Sequence, residues 1–487
     1  MRQYLDIVTN RLTMYRSMLY LLSAMAAIAL ALAFVDILQF NPLSMLIGLI
    51  LLVGTSVIIN YLFAYMFSVR AHSESALISA LILFFIFSPP RTPSSFIVMM
   101  LVAAIAMASK YVLVWRRRHI FNPSAAAAVI SGLIGLQYAS WWVATGPLIP
   151  ITLLFGGLIL YKTRRLKMGL LYIGTSIFII LLVTTFGGRS PLEILPLIFT
   201  SWPLLFFAGF MLSEPLTLPP RKYQRYILAG GVAILANAQL AVLGISFTPE
   251  IALVLGNLFA FFCGQRGAIR LTFASRRPLA KDQVEYAFTS NRKLQFQPGQ
   301  YIELQLPHKK PDARGIRRMF TIISLPGETE LKIATRHYHP SSTYKKALVH
   351  APIKAQLSAT GIYGDFILPA DTSQKLLLVA GGIGITPFYA HLQSLLKKGE
   401  TRDGVLLYSV RSADDVAYEE VVLAKEHGIK TYIITAPIDD ELLKQYVPDI
   451  AERHAYISGP PDMVDAVAEL SRHHGTKKIT RDYFAGY

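Results

Sequence analysis

Two patterns of hydrophobic and polar positions divide the chain near residue 264. Before it, long uncharged apolar runs alternate with short loops, whereas after it charged residues occur every few positions. A helix needs about 20 apolar residues to cross a bilayer core of about 30 Å. The first part therefore predicts a polytopic α-helical membrane bundle of about ten spans, near residues 18–38, 43–67, 76–89, 95–114, 120–138, 147–161, 168–186, 192–212, 226–245 and 250–264.

Proline-rich breaks end two of these predicted spans, at residues 88–91 and 213–220. Each break is followed by a complete span and then by a helix that begins near a proline, Pro123 or Pro249. Spans three to five and eight to ten therefore have the pattern of two copies in opposite orientation, an inverted repeat. Such repeats place a ligand site near the midplane, between broken helices. Ordinary kinked spans are the alternative.

The part after residue 264 changes to short strands. Residues 294–306 and 318–324 alternate apolar and polar positions between turns, which predicts a small antiparallel β-barrel. Further along, strands alternate with helices, one of them near residues 418–427, and this alternation predicts a parallel, doubly wound α/β sheet. The predicted domains are a membrane domain at 1–264, a β-barrel at 265–370 and an α/β domain at 371–487.

The formal net charge is +17, and the basic residues concentrate in alternate loops of the apolar part. This distribution favours a surface that faces anionic lipid over a nucleic-acid partner. Only Arg91 and Arg189 fall in the opposite loops, so the positive-inside rule predicts a multi-pass cytoplasmic (inner) membrane protein with its N-terminus and its C-terminal part in the cytosol. The single cysteine, Cys263, cannot hold a four-cysteine iron–sulfur cluster.

The stretch 375–388, KLLLVAGGIGITPF, is the strongest chemical signal in the chain. Its apolar run predicts a buried strand, and its glycines predict a sharp turn that leads into a helix. Backbone without Cβ atoms can approach a diphosphate, and the helix start offers free N–H groups. The candidate dinucleotide-binding residues are Gly381, Gly382, Gly384, Thr386 and Pro387.

A second signal, Arg318-Met319-Phe320-Thr321, precedes the glycine stretch. Barrel, motif and nucleotide fold in this order closely resemble the ferredoxin–NADP reductase family over residues 266–487. The resemblance implies an FAD-binding barrel, an α/β domain that binds NADH or NADPH, and hydride transfer from NAD(P)H to FAD. Arg318 would pair with the flavin diphosphate, Phe320 would stack on the isoalloxazine, and Thr321 would hydrogen-bond flavin N5.

Other segments match the same family. The resemblance implies a second phosphate-binding segment at Ser342, Thr343 and Tyr344. It implies a nicotinamide-facing segment, with serine in place of the cysteine of many members, at Ser458, Gly459 and Pro460. It implies a flavin-covering aromatic end that contains Phe484 and Tyr487. With Thr321, these aromatics and Ser458 are the candidate catalytic residues, and structural roles for each are the alternative.

The choice between NADH and NADPH depends on charges after the second parallel strand. Arg411 could meet a 2′-phosphate, whereas Asp414 and Asp415 would repel it, which favours NADH. NADPH stays open.

Three motifs of the apolar part carry a second resemblance. Phe121-Asn122-Pro123, the break at residues 211–215 and Phe155-Gly156-Gly157 resemble the family of membrane subunits that sodium-translocating NADH:quinone reductase and the Rnf complex share. That family holds flavins in its membrane domain, one of them FMN esterified to a threonine.

The resemblance therefore implies FMN or riboflavin in the membrane domain. Thr145 is the nearest match to the esterified threonine, and a non-covalent flavin near Asn122 and the Glu214 break is the other interpretation. For Thr145 the alternative is an outer loop with Trp141 and Trp142 at the membrane interface.

These features predict a membrane-bound flavoprotein oxidoreductase that passes electrons from NAD(P)H through FAD and a membrane flavin to quinone or another acceptor, with or without further redox subunits. A redox-driven sodium or proton transporter is the alternative. A haem-containing transmembrane ferric reductase or oxidase fits less well, because two haems need four axial histidines and only His72 and His119 precede residue 300. No metal site is predicted.

Overall fold

The computed structural model describes residues 12–69, 71–115, 118–242, 245–264, 269–312, 315–337 and 341–482. The chain forms two compact units, Met1–Gly267 and Ala268–Tyr487. The predicted limits of the barrel and of the α/β domain stay predictions.

The first unit is helical. Its main helices are α1 (Met14–Phe34), α2 (Pro42–Met66), α3 (Ser73–Ile86), α4 (Pro93–Val112), α5 (Pro123–Leu133), α6 (Ile149–Lys162), α7 (Leu166–Phe186), α8 (Lys222–Asn237) and α9 (Pro249–Cys263). Between α7 and α8 the chain forms a bent pair of helical segments, Pro191–Ser201 and Leu204–Met211, with an angle of 53°. Its second segment ends in a π-helix at Phe207–Met211.

Four of the described helices, α1, α2, α4 and α7, are long and apolar enough to cross a membrane, or five elements if the bent pair counts as one span. The prediction of about ten spans is therefore not confirmed. Helix caps and short hairpins remove residues from the predicted runs. The run at 120–138, for example, yields only the 11-residue helix α5, because Asn122 caps its start and the helix ends at Leu133.

The same order of elements occurs twice in the first unit. A helix, a proline-containing break, α4, a two-residue hairpin and α5 are followed later by the bent pair, a break, α8, a second two-residue hairpin and α9. Both α5 and α9 begin with proline, after Asn122 and Thr248 respectively. This duplication supports the predicted repeat, whereas the opposite orientation of its two copies stays a prediction.

The second unit contains an antiparallel six-stranded sheet. Its elements are β1 (Ile269–Ala280), β2 (Gln283–Ser290), β3 (Tyr301–Gln305), β4 (Arg317–Thr321), β5 (Glu330–Arg336), α10 (Thr343–Val349) and β6 (Gln356–Tyr363), with strand order β4-β3-β6-β1-β2-β5. The segment after β4 bonds β5 through Ile323 N and Lys332 O at 2.9 Å. Closure of this sheet into a barrel stays a prediction.

One predicted strand of this sheet is much shorter than the sequence suggested. The alternation at 294–306, around Pro298-Gly299-Gln300, predicted strand structure throughout, but the structure has only β3 there. Gly299 takes a φ of +85°, and Gln300 N donates to Gln297 O at 3.1 Å. This turn removes the residues before Tyr301 from the sheet.

The remaining strands form a parallel sheet. Its elements are β7 (Leu376–Gly381), α11 (Thr386–Lys398), β8 (Gly404–Ser409), β9 (Ile429–Ile434), α12 (Asp440–Tyr446), β10 (His454–Ser458), α13 (Pro461–His473) and β11 (Ile479–Asp482), with strand order β9-β8-β7-β10-β11. The order reverses between β7 and β10, and ligands of such sheets bind outside the strand ends at that point. The helix predicted near 418–427 is only the short turn Glu419–Val422, because the chain soon returns to enter β9.

Candidate functional site

Strand β4 presents Arg318 to the start of α10. Alternation along the strand puts Arg318 and Phe320 on one face, and Arg318 is only 8% exposed. The Arg318 guanidinium lies 5.0 Å from the centre of the Tyr344 ring. Its Nη2 donates to Asp312 Oδ1 at 3.3 Å, and its Nη1 donates to the Arg317 carbonyl oxygen at 2.6 Å.

The start of α10 meets the same aspartate. Ser342 caps the helix by accepting a hydrogen bond from Lys345 N at 3.3 Å. Thr343 N donates to Asp312 Oδ2 at 3.3 Å, and Asp312 N donates to Thr343 Oγ1 at 3.0 Å. The structure therefore brings Arg318 together with the segment that contains Ser342, Thr343 and the buried Tyr344, as two parts of one phosphate site require.

Phe320 and Thr321 lie at the end of β4. Phe320 belongs to the hydrophobic core of the sheet, and its ring lies 6.0 Å from that of Tyr344. Thr321 is 3% exposed, and its hydroxyl is buried without a hydrogen-bond partner among the described residues. A buried hydroxyl without a partner costs about 1–3 kcal/mol. Such an atom fits a ligand that supplies the missing partner, as the predicted flavin N5 would.

The glycine turn after β7 packs directly on the end of β10. A Cβ on Gly384 would lie 2.4 Å from Ser458 O, and one on Gly381 would lie 2.6 Å from Met463 Sδ. Gly382 takes a φ of +53°, which disfavours side chains. The structure thus joins the predicted glycine and Ser458-Gly459-Pro460 segments at the point where the strand order reverses.

The start of α11 is tightly packed. Thr386 and Pro387 are buried, and Thr386 Oγ1 donates to the Ile383 carbonyl oxygen at 3.1 Å. The Thr386 hydroxyl therefore stabilises the turn itself, whereas the backbone at this helix start is the part suited to a diphosphate.

The charges after β8 differ from the expectation. Arg411 and Asp414 are exposed. Asp415, however, is buried and accepts a hydrogen bond from Arg336 Nη2 at 2.8 Å, so its charge is paired inside the protein. The argument that both aspartates repel a 2′-phosphate is wrong for Asp415, and only Asp414 can act in that way.

Two residues of the site were not predicted from the sequence. Arg336 ends β5, and its Nη1 lies 3.8 Å from the position of a Cβ on Gly382, which places a guanidinium beside the glycine turn. Asp312 links Arg318 to Thr343. No pattern in β5, which also contains Glu330 and Lys332, singles out Arg336, and nothing in the loop sequence singles out Asp312.

The predicted aromatic cover, Phe484 and Tyr487, lies outside the residues that the structure describes. The interfacial position for the two tryptophans is wrong. Trp142 donates to the Phe84 carbonyl oxygen at 2.6 Å and Trp141 to Glu250 Oε2 at 3.2 Å, and both indoles are buried inside the first unit. The hydroxyl of Thr145 is buried too, with no hydrogen-bond partner among the described residues.

The predicted flavin region of the first unit is a polar cluster. Asn122 N donates to Asn257 Oδ1 at 2.8 Å, which joins the start of α5 to the middle of α9, the last helices of the two copies of the repeat. His119 Nε2 lies 3.4 Å from Glu214 Oε1. A small, partly open cleft lies beside them, lined by His119, Ile120, Leu216, Thr217, Asn257 and Phe261.

Comparison with known proteins addresses the second unit. Residues 378–469 match the family model described as an oxidoreductase NAD-binding domain. The reductase component of propane 2-monooxygenase from Rhodococcus jostii (strain RHA1) is 26% identical over 231 residues, which are 43% of this chain and 61% of that protein. The C-terminal part of the chain is a ferredoxin reductase-like NAD-binding domain.

Other relatives match this reductase-like domain over similar lengths. The ferredoxin–NAD(P)(+) reductase component of the naphthalene 1,2-dioxygenase system of Pseudomonas putida is 26% identical over 200 residues, 38% of this chain and 58% of that protein. The chain thus spans less than two thirds of these curated relatives. A ferredoxin NADP⁺ reductase structure from Neisseria gonorrhoeae with bound FAD and NADP covers 45% of this chain and 99% of its own, at 16% identity and a TM-score of 0.39.

Proposed function

We propose that the protein is a membrane-bound flavoprotein oxidoreductase. It takes hydride from NADH or NADPH onto FAD in the second unit and delivers electrons through the first unit to quinone or another acceptor. The observation that carries this proposal is the buried hydroxyl of Thr321, which has no partner in the described part of the chain and ends the strand that also holds Arg318. A hydroxyl in this state, three residues along the chain from an anion-binding guanidinium, suits a ligand that has both a polar ring and a phosphate.

The residues present fit FAD and a nicotinamide dinucleotide. Arg318 and Thr343 N would hold the flavin diphosphate, a role they already perform for the carboxylate of Asp312. Thr321 Oγ1 would hydrogen-bond the flavin ring and fix its position. When bound, FAD supplies the chemistry that accepts hydride and returns single electrons.

The dinucleotide would lie at the reversal of strand order. The glycine turn after β7 offers backbone N–H groups, and Arg336, whose Nη2 donates to Asp415, places its Nη1 near Gly382. Close packing of Gly384 on Ser458 leaves no room for water between the two turns. Ser458 can thereby orient the nicotinamide by a small polar contact.

The first unit supports a second carrier. Its long apolar helices suit an inner membrane, with the second unit in the cytosol as the basic loops indicate. The Asn122–Asn257 contact and the His119–Glu214 pair put polar groups around a cleft, where FMN or riboflavin could be held without a covalent bond. The resemblance to the membrane subunits of sodium-translocating NADH:quinone reductase and the Rnf complex favours the same position.

The test of the FAD site is replacement of Arg318 by Ala in the full-length protein in detergent. We expect bound FAD and NADH oxidation with ferricyanide to fall together, because the diphosphate loses its guanidinium partner. Arg317→Ala is the matched control, since its neighbouring side chain points to the other face of β4. Unchanged FAD content in Arg318→Ala would contradict the assignment.

A further inference from the structure

The groups that suit the flavin diphosphate already hold an anion from the chain itself. One oxygen of the Asp312 carboxylate accepts from Arg318 Nη2 at 3.3 Å, and the other accepts from Thr343 N at 3.3 Å. A carboxylate and a phosphate oxygen use the same donors with similar geometry. Asp312 therefore occupies the place of the diphosphate at both donors.

The hydroxyl of Thr343 is engaged as well. His308 Nδ1 lies 2.9 Å from the Leu306 carbonyl oxygen, so Nδ1 carries the proton and donates there. His308 Nε2 then accepts from Thr343 Oγ1 at 3.1 Å, and the same oxygen accepts from Asp312 N at 3.0 Å. The Thr343 side chain is thus tied to the loop that carries Asp312.

The Asp312 carboxylate has a way out of the site. The exposed fraction of its side chain is 24%, against 10% for Arg318. Part of the Asp312 side chain therefore already meets water, whereas the Arg318 guanidinium lies over the ring of the buried Tyr344. The guanidinium is accordingly the fixed partner and the carboxylate the exchangeable one.

We propose that Asp312 is an internal competitor of the flavin diphosphate and that it sets the affinity of the site for FAD. The inference depends on the proposed function, since it concerns the same site. Binding of the diphosphate displaces the carboxylate from Arg318 and Thr343 N, and the lost contacts weaken FAD binding. Asp312 also adds a negative charge near the bound diphosphate, which acts in the same direction.

The experiment is replacement of Asp312 by Asn, which keeps the shape and one acceptor but removes the charge. The full-length protein in detergent is stripped of flavin and titrated with FAD and with riboflavin, which lacks the diphosphate. We expect the Kd for FAD to fall about tenfold, the size of one hydrogen bond to a charged group. The Kd for riboflavin should not change, because riboflavin does not reach Arg318.

Asp371→Asn is the matched control. It removes the same charge from an exposed aspartate that bonds Ser373, and it should leave both Kd values unchanged. Wild-type protein that binds no FAD would contradict the proposed function itself. Wild-type protein that binds FAD, with an equal or higher Kd in Asp312→Asn, would overturn the competitor role alone. A parallel change for riboflavin would show an altered ring pocket and overturn it too.

Discussion

At the scale of single residues, the C-terminal site is marked by polar atoms whose local pairing is incomplete or replaceable. Thr321 has a buried hydroxyl without a partner among the described residues. Arg318 forms an ion pair with Asp312, whose carboxylate is partly exposed to solvent. Thr431, by contrast, is paired through the bond that its hydroxyl donates to Val422 O at 2.7 Å. A buried polar atom without a hydrogen-bond partner destabilises the ligand-free protein, and it stabilises the complex once a ligand supplies the partner.

This contrast predicts opposite effects for two threonines. Thr321→Val should lower NADH oxidation about tenfold by removing one hydrogen bond to the flavin. It should leave the free energy of unfolding of the flavin-free protein unchanged or raise it, because valine removes an unpaired buried hydroxyl. Thr431→Val should cost about 1 kcal/mol of stability and no activity. The measurements are ferricyanide-linked NADH oxidation and urea unfolding of the full-length protein.

Equal losses of activity and stability in Thr321→Val would show that the hydroxyl has a structural role. The prediction would then be wrong even if flavin still bound.

At the scale of elements, α11 connects the glycine turn to the antiparallel sheet and to the linker between the sheets. Its His391 is 2% exposed, and its ring lies near the position of a Cβ on Gly299, with 2.7 Å to Nε2. Nε2 has no hydrogen-bond partner among the described residues, and the ring bonds the backbone of Phe366. Burial lowers the pKa of His391 from 6.5 to about 3.

The position of α11 therefore predicts acid sensitivity. Between pH 3 and 6.5 the unfolded chain binds a proton at His391 and the folded chain does not. The free energy of unfolding is therefore unaffected by this group above pH 6.5 and falls as the pH drops below it. The loss reaches at most about 1.4 kcal/mol per pH unit from this one group. His391→Asn keeps a donor near Nδ1 and should flatten the profile of urea unfolding between pH 7 and 5. An unchanged slope would exclude His391 as the source.

The helices and strands also show which elements could be predicted from sequence patterns. The apolar run of β7 and the glycines after it were predicted correctly, because a fully buried strand and a tight turn each leave a local signature. The strand at 294–306 and the helix at 418–427 were overestimated, because a turn at Gly299 and the return into β9 interrupt segments of suitable composition. Likewise α5 is shorter than its predicted run at 120–138, since a hairpin precedes it and the helix ends at Leu133.

At the scale of the whole molecule, a nucleotide-binding unit and an apolar helical unit share one chain. The helical unit combines long apolar helices with a buried polar contact between Asn122 and Asn257, and a reductase that works in solution would need neither. A redox role for that unit requires a cofactor of its own, because its single cysteine, Cys263, cannot bind an iron–sulfur cluster.

The molecule should accordingly carry two flavins per purified chain, FAD and a second flavin as FMN or riboflavin. Asn257→Leu removes the amide that bonds Asn122 N and should halve the count while it leaves FAD in place. The measurement is flavin released by denaturation, separated by chromatography and divided by protein concentration. Thr145→Val is the control for covalent attachment, because in-gel fluorescence that disappears in this variant would place the second flavin on Thr145. A count of one flavin in the wild type would leave the helical unit without a redox role.

The sequence by itself determined the two-part organisation and the glycine turn, because hydrophobic periodicity and backbone freedom are local properties. A short motif predicted Arg318 and Thr321 as site residues. Tertiary structure alone decided that Asp415 is neutralised by Arg336, that Trp141 and Trp142 are buried, and that Asp312 occupies the donors of Arg318 and Thr343. Each of those facts joins residues from separate segments. Their energies depend on which charges and surfaces the fold removes from water, and no local pattern carries that information.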